Sequence, residues 1–372
     1  MWRVIPYMPN QTFAVQADSM EFINGEYFSS EKFKTDLKVA NCVVFHSLFL
    51  SSLQKLLVLS RIPKQVPIVW RGWGYDYYSI LQANGLRLLL PETYSLTKSL
   101  GVSKRELVKQ FPGKLLNAAA KKSARQFISK FLNGMISKTS GQFVNNTFIA
   151  RVNYFSCCVP DDFAALQKAL PHFKAQFLPL NYYSTEDVFL RGDNLQDLTG
   201  DDILLGNSAT PTNNHIEGMR ALSKLGIYGR KVIVPLSYGD MKYQEKIIQA
   251  GYELLGDSFV PLTKYMPLSE YNQTISNCGN YIMNHIRQQA IGNISSALLR
   301  GGKVFLRPEN PIYKYYTRMG VILFPFSDDT TIADLDRPLN KDDASKNKEI
   351  MMSMWSREQG LKNVKAILQL GK

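Results

Sequence analysis

A run of small polar residues, an arginine and a glutamate each stand where a β-run gives way to a helical pattern. Together they could line a phosphate-binding crevice. The β-run at 203–205 leads straight into Gly206, Asn207 and Ser208, and the loop closes on Asn214 and His215, where helical periodicity starts. Such a loop lets amides and hydroxyls approach a phosphate that the helix dipole also favours; a turn with an ordinary Thr or Asn cap uses the same letters. Neither a complete G-x-G-x-x-G nor a Walker pattern is present. Arg287 follows a second β-run and precedes Gly292, Asn293 and Ser295 at another helix start. Its guanidinium could pair with a diphosphate beside those amides or make a surface ion pair. Glu309 lies at the end of the next β-run, where a ribose diol is commonly held; a first-turn helix charge is the alternative.

The first half offers a different chemistry. A β-run at 68–70 enters a glycine-punctuated aromatic turn with Trp70, Trp73, Asp76 and Tyr78. Aromatic faces beside a carboxylate suit sugar recognition. Asp76 could take a proton from an attacking hydroxyl or cap the helix starting at Tyr77. His46, ending another β-run, is either a base or a hydrogen-bonded core histidine. The paired acids Asp161-Asp162, Asp201-Asp202 and Asp328-Asp329 sit in turn-like surroundings and are read as helix starts and solvated loops, so no metal is assigned. Cys42, Cys157, Cys158 and Cys278 show neither C-x-x-C spacing nor a histidine cluster. No nucleophile elbow supports hydrolase chemistry.

The elements that must position these residues alternate. In the second half, strands are expected at 203–206, 231–236, 252–255, 281–286, 303–306 and 321–324, with helices near 214–224, 242–250, 268–278, 293–300 and 311–319. Strict alternation implies a parallel, doubly wound sheet. The first half suggests strands at 42–45, 68–71, 142–148 and 176–180 and a second α/β domain with an insertion. Residues 182–202, rich in Asp, Asn, Gly and Thr, mark a connection. The expected domains are therefore 1–190, 200–343 and a helical tail at 344–372 with one buried face. A chain of 372 residues with 45% hydrophobic and 20% charged residues is long and apolar enough for two such cores.

The net charge of +13 calls for an anionic partner. Between residues 98 and 138, ten Lys or Arg face the lone acid Glu106, so +9 of the excess is local and interleaved with Leu and Phe. Lys121, Lys122 and Arg125 could bind an anionic bilayer, or the apolar stripe packs inward and the lysines are solvated. Residues 1–10 lack a secretory pattern and 43–59 is too polar to span a membrane, so a soluble or membrane-surface protein of the reducing cytoplasm is expected.

These blocks, taken in order, resemble the bacterial TDP-N-acetylfucosamine:lipid II N-acetylfucosaminyltransferases. The resemblance runs from about residue 43 to 325 through Phe45-His46, Trp70 to Tyr78, Leu205 to Ser208 with Asn214-His215, Val234-Pro235 with Tyr238, Arg287 to Gln289, Ile291-Gly292 and Arg307 to Pro311. It implies a GT-B glycosyltransferase: two Rossmann-like domains facing across a cleft, with a C-terminal crossover helix returning to the first. The C-terminal domain would bind a nucleotide-sugar, expected to be a dTDP-sugar carrying a 4-amino-4,6-dideoxyhexose derivative. Asn207, Ser208, Arg287, Gly292, Asn293 and Ser295 would hold its diphosphate, Glu309 its ribose and Tyr238 its base or sugar, with no metal or other cofactor. Asp76 is the first choice for activating the acceptor hydroxyl and His46 the second, with Trp70, Trp73 and Tyr78 on the acceptor side. The acceptor would be a polyprenyl-diphosphate-linked saccharide at the cytoplasmic face of the inner membrane, reached as a peripheral protein through Lys121, Lys122 and Arg125, in O-antigen or common-antigen synthesis. The alternatives are a scaffold that binds a nucleotide-sugar or lipid head without transfer, and a basic nucleic-acid-binding protein, for which no recognition motif is visible.

Overall fold

The computed structural model describes residues 2–4, 20–22, 27, 30–48, 50, 52–101, 138–179, 181–189, 197–198, 200–227 and 229–370. Lys121, Lys122, Arg125 and most of the basic segment lie outside the described residues. A short parallel pair, β1 (Trp2–Val4) and β2 (Met20–Phe22), precedes two larger parallel sheets. The first sheet runs in sequential order through β3 (Val43–His46), β4 (Ile68–Arg71), β5 (Tyr154–Ser156) and β6 (Gln176–Phe177).

The second contains β7 (Asp202–Leu205), β8 (Val232–Pro235), β9 (Phe259–Leu262), β10 (Cys278–Met283), β11 (Lys303–Leu306) and β12 (Phe324–Pro325) in the order β12-β11-β10-β7-β8-β9. The winding proceeds outward from β7 to β9, then restarts on the other side of β7 at β10. The crevice beyond the carboxyl ends of β7 and β10 is thus the switch point at which such sheets hold ligands. Every residue of β4, β7, β8 and β11 is buried, as required of strands covered on both faces. The one acid among these strands, Asp202, accepts from the Lys231 amide and the Asn277 side chain.

Two expected strands are helical instead. Residues 252–255 complete the helix Met241–Leu255, because Tyr243, Ile247 and Gly251 continue a four-residue stripe onto the sheet. A Cβ on Gly251 would meet the Phe259 ring at 2.3 Å, so the helix lies close on the strand that follows. That strand, β9, carries Pro261, which an edge position tolerates because one of its sides needs no amide donor. Residues 142–148 belong to the helix Lys138–Arg151. Local strand propensity is overridden by packing: Phe148 and Ile149 on this helix, and Val152 just past its end, are buried in the first core. The strand of that region is the three-residue β5, too short for an alternating pattern to show.

The tail is two helices. Lys341–Met354 packs on Ile291–Leu299 and buries Met351, and Trp355 beyond it stacks on Tyr183 at 5.0 Å. Arg357–Leu368 then returns toward the first sheet, where Ile367 O accepts from Cys42 Sγ at 3.8 Å and Asn363 donates to Asn181 at 3.1 Å. No helix among the described residues is long and apolar enough to cross a membrane.

Candidate active site

The β7 loop is organised by Asn213. Its Oδ1 accepts from the Asn207 amide at 3.0 Å and from His285 Nε2 at 2.7 Å, and its Nδ2 donates to the carbonyls of Ser208 and Thr210. Gly206 has φ 72°, and a Cβ there would stand 2.8 Å from both Asn213 Oδ1 and His215 Nε2. Glycine is demanded by conformation and by space. His215 and His285 are buried beneath the loop, and desolvation pushes both imidazoles down to about 3. Both are neutral at pH 7, and they support the turn without adding charge.

Asn207, Gln289 and Thr212 form a relay across the switch point. Thr212 donates to Gln289 at 2.7 Å, Gln289 to Asn207 at 2.8 Å and Asn207 to the Tyr238 hydroxyl at 2.9 Å. The ends of β7, β8 and β10 are therefore held as one surface. Asn310 secures the β11 end: its Oδ1 caps the helix Pro311–Arg318 and its Nδ2 donates to the carbonyls of His285 and Arg287.

Arg287 emerges from this frame. Among the described residues its guanidinium makes one hydrogen bond, from Nε to Gln288 O at 3.2 Å, and its carbon lies 5.0 Å from the Tyr78 ring centre. The helix Ile291–Leu299 starts beside it after Ala290 at φ 59°, and its first amides have no intrahelical acceptor. Three non-glycine residues take positive φ among those described, Ser47, Asn214 and Ala290. All three lie in loops after β3, β7 and β10, where backbone strain gathers around function.

The first sheet meets this surface through the loop after β4. A Cβ on Gly74 would lie 3.3 Å from Arg287 Nη2 and from Gln288 Oε1. Tyr78 accepts from the Gln288 amide at 2.8 Å and donates to Asp162 at 2.6 Å, while Tyr77 donates to the other Asp162 oxygen at 2.5 Å. Burial raises the Asp162 carboxyl to about 6 against the pull of those two hydroxyls and of Arg287. Arg71 is buried; it donates to Ser156 at 2.8 Å, and its guanidinium lies 4.0 Å from the Tyr182 ring, which in turn stacks on Trp73 at 4.4 Å. His46 stands at the rim, 6.4 Å from the Trp73 ring. Partial desolvation and the Arg71 charge hold its imidazole below the usual histidine range. The two sheets are further joined where Leu90 N donates to Asn214, and Thr93 and Arg220 pair with Glu217 and Glu92.

The expected residues divide on this geometry. Arg287, Gly292, Asn207, Tyr238, His46, Trp73 and Tyr78 are at carboxyl-edge loops or helix starts of the two sheets. Asn293 is there too, its amide group donating to Tyr271 at 3.1 Å. Glu309 is exposed beyond β11 and pairs with Arg307 at 3.0 Å. Three side chains do not fit the roles expected of them. Ser208 is buried with its hydroxyl on Thr210, Ser295 is buried with its hydroxyl accepting from Tyr183, and Trp70 is fully buried against Phe155 and Phe173. Each points inward because its position alternates or winds onto the core. Asp76 accepts from Trp70 Nε1 at 2.8 Å and from the Trp73 amide at 2.9 Å, so its carboxylate holds the loop together. Asn213, Gln288, Gln289 and Asp162 are central residues to which the sequence reading gave no role of their own.

The sequence profile of the family described as 4-alpha-L-fucosyltransferase, glycosyl transferase group 56, matches residues 158–354, more than half of the 372. Among solved structures the chain is similar to OtsA in its apo form, with TM-score 0.53, 10% identity and coverage of 98% of this chain and 91% of that one. It is similar to a sucrose-phosphate synthase from Thermosynechococcus elongatus at TM-score 0.52 and 11% identity, covering 95% and 82%. HepE from Anabaena, solved with UDP and glucose, aligns at TM-score 0.52 and 11% identity over 94% and 85%. At such identities the likeness speaks for the fold, which is GT-B.

Proposed function

The chain belongs to the 4-alpha-L-fucosyltransferase family, glycosyl transferase group 56, and from that premise we propose that it moves a 4-amino-4,6-dideoxyhexose derivative from a dTDP-sugar to a polyprenyl-diphosphate-linked saccharide. That it is a nucleotide-sugar-dependent glycosyltransferase follows from family and fold together. The observation that carries the reading is Arg287. It stands at the β10 end, beside the Gly206 loop and a helix start, and faces Tyr78 and Gly74 of the other sheet. A guanidinium there would neutralise a departing diphosphate together with the amides of Ile291, Gly292 and Asn293, without a metal. Glu309 would take the ribose and Tyr238 the base or donor sugar.

The first sheet would supply the acceptor side, with residues 1–190 and 200–343 as the two domains and 344–372 joining them. His46 is the better base. It is accessible and neutral at pH 7, whereas both Asp76 oxygens are already engaged as hydrogen-bond acceptors in the loop, even though burial holds that carboxyl above its ordinary range. The basic segment with Lys121, Lys122 and Arg125 would bring the enzyme to the cytoplasmic face of the inner membrane, as surface polysaccharide synthesis requires.

A nucleotide panel and a single-turnover assay test this. Thymidine diphosphate should raise the melting temperature more than uridine or guanosine diphosphate, and a dTDP-4-acetamido-4,6-dideoxyhexose should be consumed only when a prenyl-diphosphate saccharide is present. Equal stabilisation by all three diphosphates defeats the donor assignment, and donor binding without transfer leaves a scaffold.

A further inference from the structure

Beneath the loop that carries Asp76 lies a cavity of about 180 Å³, lined by Lys55, Tyr75, Asp76, Ser79 and Asn145 on its polar side and by Leu48, Ile80, Phe148 and Ile149 on its apolar side. On the same measure a single water needs only ~15 Å³, so the space is ring-sized. Lys55 is 9% exposed, and among the described residues its ammonium makes one hydrogen bond, to Asn145 Oδ1 at 2.6 Å. Asp76 faces the same space; it is not within ion-pair distance of Lys55 among the described pairs, although its charge is felt there. Burial lowers the Lys55 amine to about 8, so it is largely charged at pH 7.

We propose that this cavity is a carbohydrate subsite that seats one pyranose ring, a pair of neighbouring hydroxyls bridging the Lys55 ammonium and the Asp76 carboxylate. The proposal deepens the preceding reading, on which the ring belongs to the acceptor saccharide. The charges select the ligand. An anion is repelled by Asp76 and a cation by Lys55, and an apolar molecule would desolvate both charges while leaving the spare ammonium protons and carboxylate lone pairs unused. A vicinal diol accepts from the ammonium with one oxygen and donates to the carboxylate with the other. Leu48 and Ile80 meanwhile, both partly accessible, offer an apolar wall to the C–H face of the ring.

The test uses the full chain with 13C at the lysine ε-carbons and, as probes, methyl pyranosides of gluco, manno and galacto configuration with their 2-acetamido forms. The Lys55 resonance, identified by its absence in Lys55→Arg, should shift saturably with at least one probe. Lys55→Met and the milder surface change Asn145→Ala should each weaken that binding by about tenfold or more, with thymidine diphosphate affinity unchanged. A Lys55 signal that no pyranoside moves overturns the subsite, as does binding that survives Lys55→Met. Loss of thymidine diphosphate selectivity with the pyranoside response intact would instead defeat the transferase reading and leave the subsite standing.

Discussion

The guanidinium of Arg287 lies 5.0 Å over the ring of Tyr78, and the amide of the next residue, Gln288, donates to the Tyr78 hydroxyl at 2.8 Å. The diphosphate-binding candidate of one sheet is thus seated on an aromatic ring of the other. Arg287→Ala should raise the dissociation constant for thymidine diphosphate by about tenfold to a hundredfold, the scale of a lost charge-assisted bond. The melting temperature should hardly move, since the guanidinium makes one backbone hydrogen bond among the described residues. Calorimetric titration checks the first and thermal denaturation the second; unchanged nucleotide affinity removes Arg287 from the donor site.

Gly74 is the point at which the front loop touches that arginine. Its φ of 91° disfavours any side chain, and a Cβ would stand 3.3 Å from Arg287 Nη2. Gly74→Ala should therefore cost about 1 kcal/mol or more in stability from backbone strain alone and weaken nucleotide binding by displacing the guanidinium. Denaturant titration and nucleotide binding on the same preparation check both; a loss of stability with full affinity would show that the loop does not set Arg287.

Asn213 satisfies four groups at once. Asn213→Ala leaves the His285 Nε2 proton, the Asn207 amide and the carbonyls of Ser208 and Thr210 without their partner in a buried loop. At roughly 1–3 kcal/mol for each buried group left unsatisfied, and allowing for water entry, a loss of about 3 kcal/mol is expected, with donor binding reduced as the turn relaxes. Urea unfolding measures it, and a change below about 0.5 kcal/mol would mean that the turn is held by its backbone bonds alone.

Asp162 links stability to pH. Its native pKa is raised to about 6 from an ordinary 3.8 by burial, so the native state holds this proton more tightly than the unfolded chain. The unfolded state binds fewer protons between these values, and the stability due to this group is present below pH 3.8 and lost as pH rises through 6. Relative to Asp162→Asn, the wild type should therefore lose about 2 kcal/mol between pH 4 and pH 7, at 1.36 kcal/mol per unit. Parallel pH profiles of the two proteins would read out a constant difference if Tyr77 and Tyr78 compensate the buried charge in full.

Much of the second sheet was legible from its letters because fully buried strands such as Lys303–Leu306 are short apolar runs set off by glycine and proline. The first half was not, since the β-branched and aromatic letters of 143–148 favour strands locally, while the segment folds as a helix whose Phe148 and Ile149 enter a core built from distant residues. The site divides in the same way. Arg287 and the Gly206 turn stood out because strand ends and helix starts announce themselves. Ser208 and Ser295 misled because a hydroxyl of the right type reveals nothing of the direction in which it points. Asp162 reads in the sequence as a helix-start acid, and it does occupy the first turn of the helix Pro160–Ala169. Only folding brings Tyr77 and Tyr78 over it and makes it the buried acid beneath Arg287.

His46 and Asp76 compete for the role of base, and their surroundings separate them. The Asp76 carboxylate accepts from the Trp70 indole and the Trp73 amide, so Asp76→Asn replaces an acceptor with an amide group that must face a donor on one side. That change should lower the melting temperature and reduce turnover through loop disorder. His46 is exposed at the end of β3, so His46→Ala should leave melting unchanged while lowering turnover by ~100-fold or more, the usual scale for a positioned base. Because desolvation and Arg71 lower its pKa, the acid limb of the rate profile should fall below the ordinary histidine range, and Arg71→Met should move that limb upward. Full turnover in His46→Ala, with a collapse in Asp76→Asn at unchanged melting temperature, would transfer the role to the carboxylate.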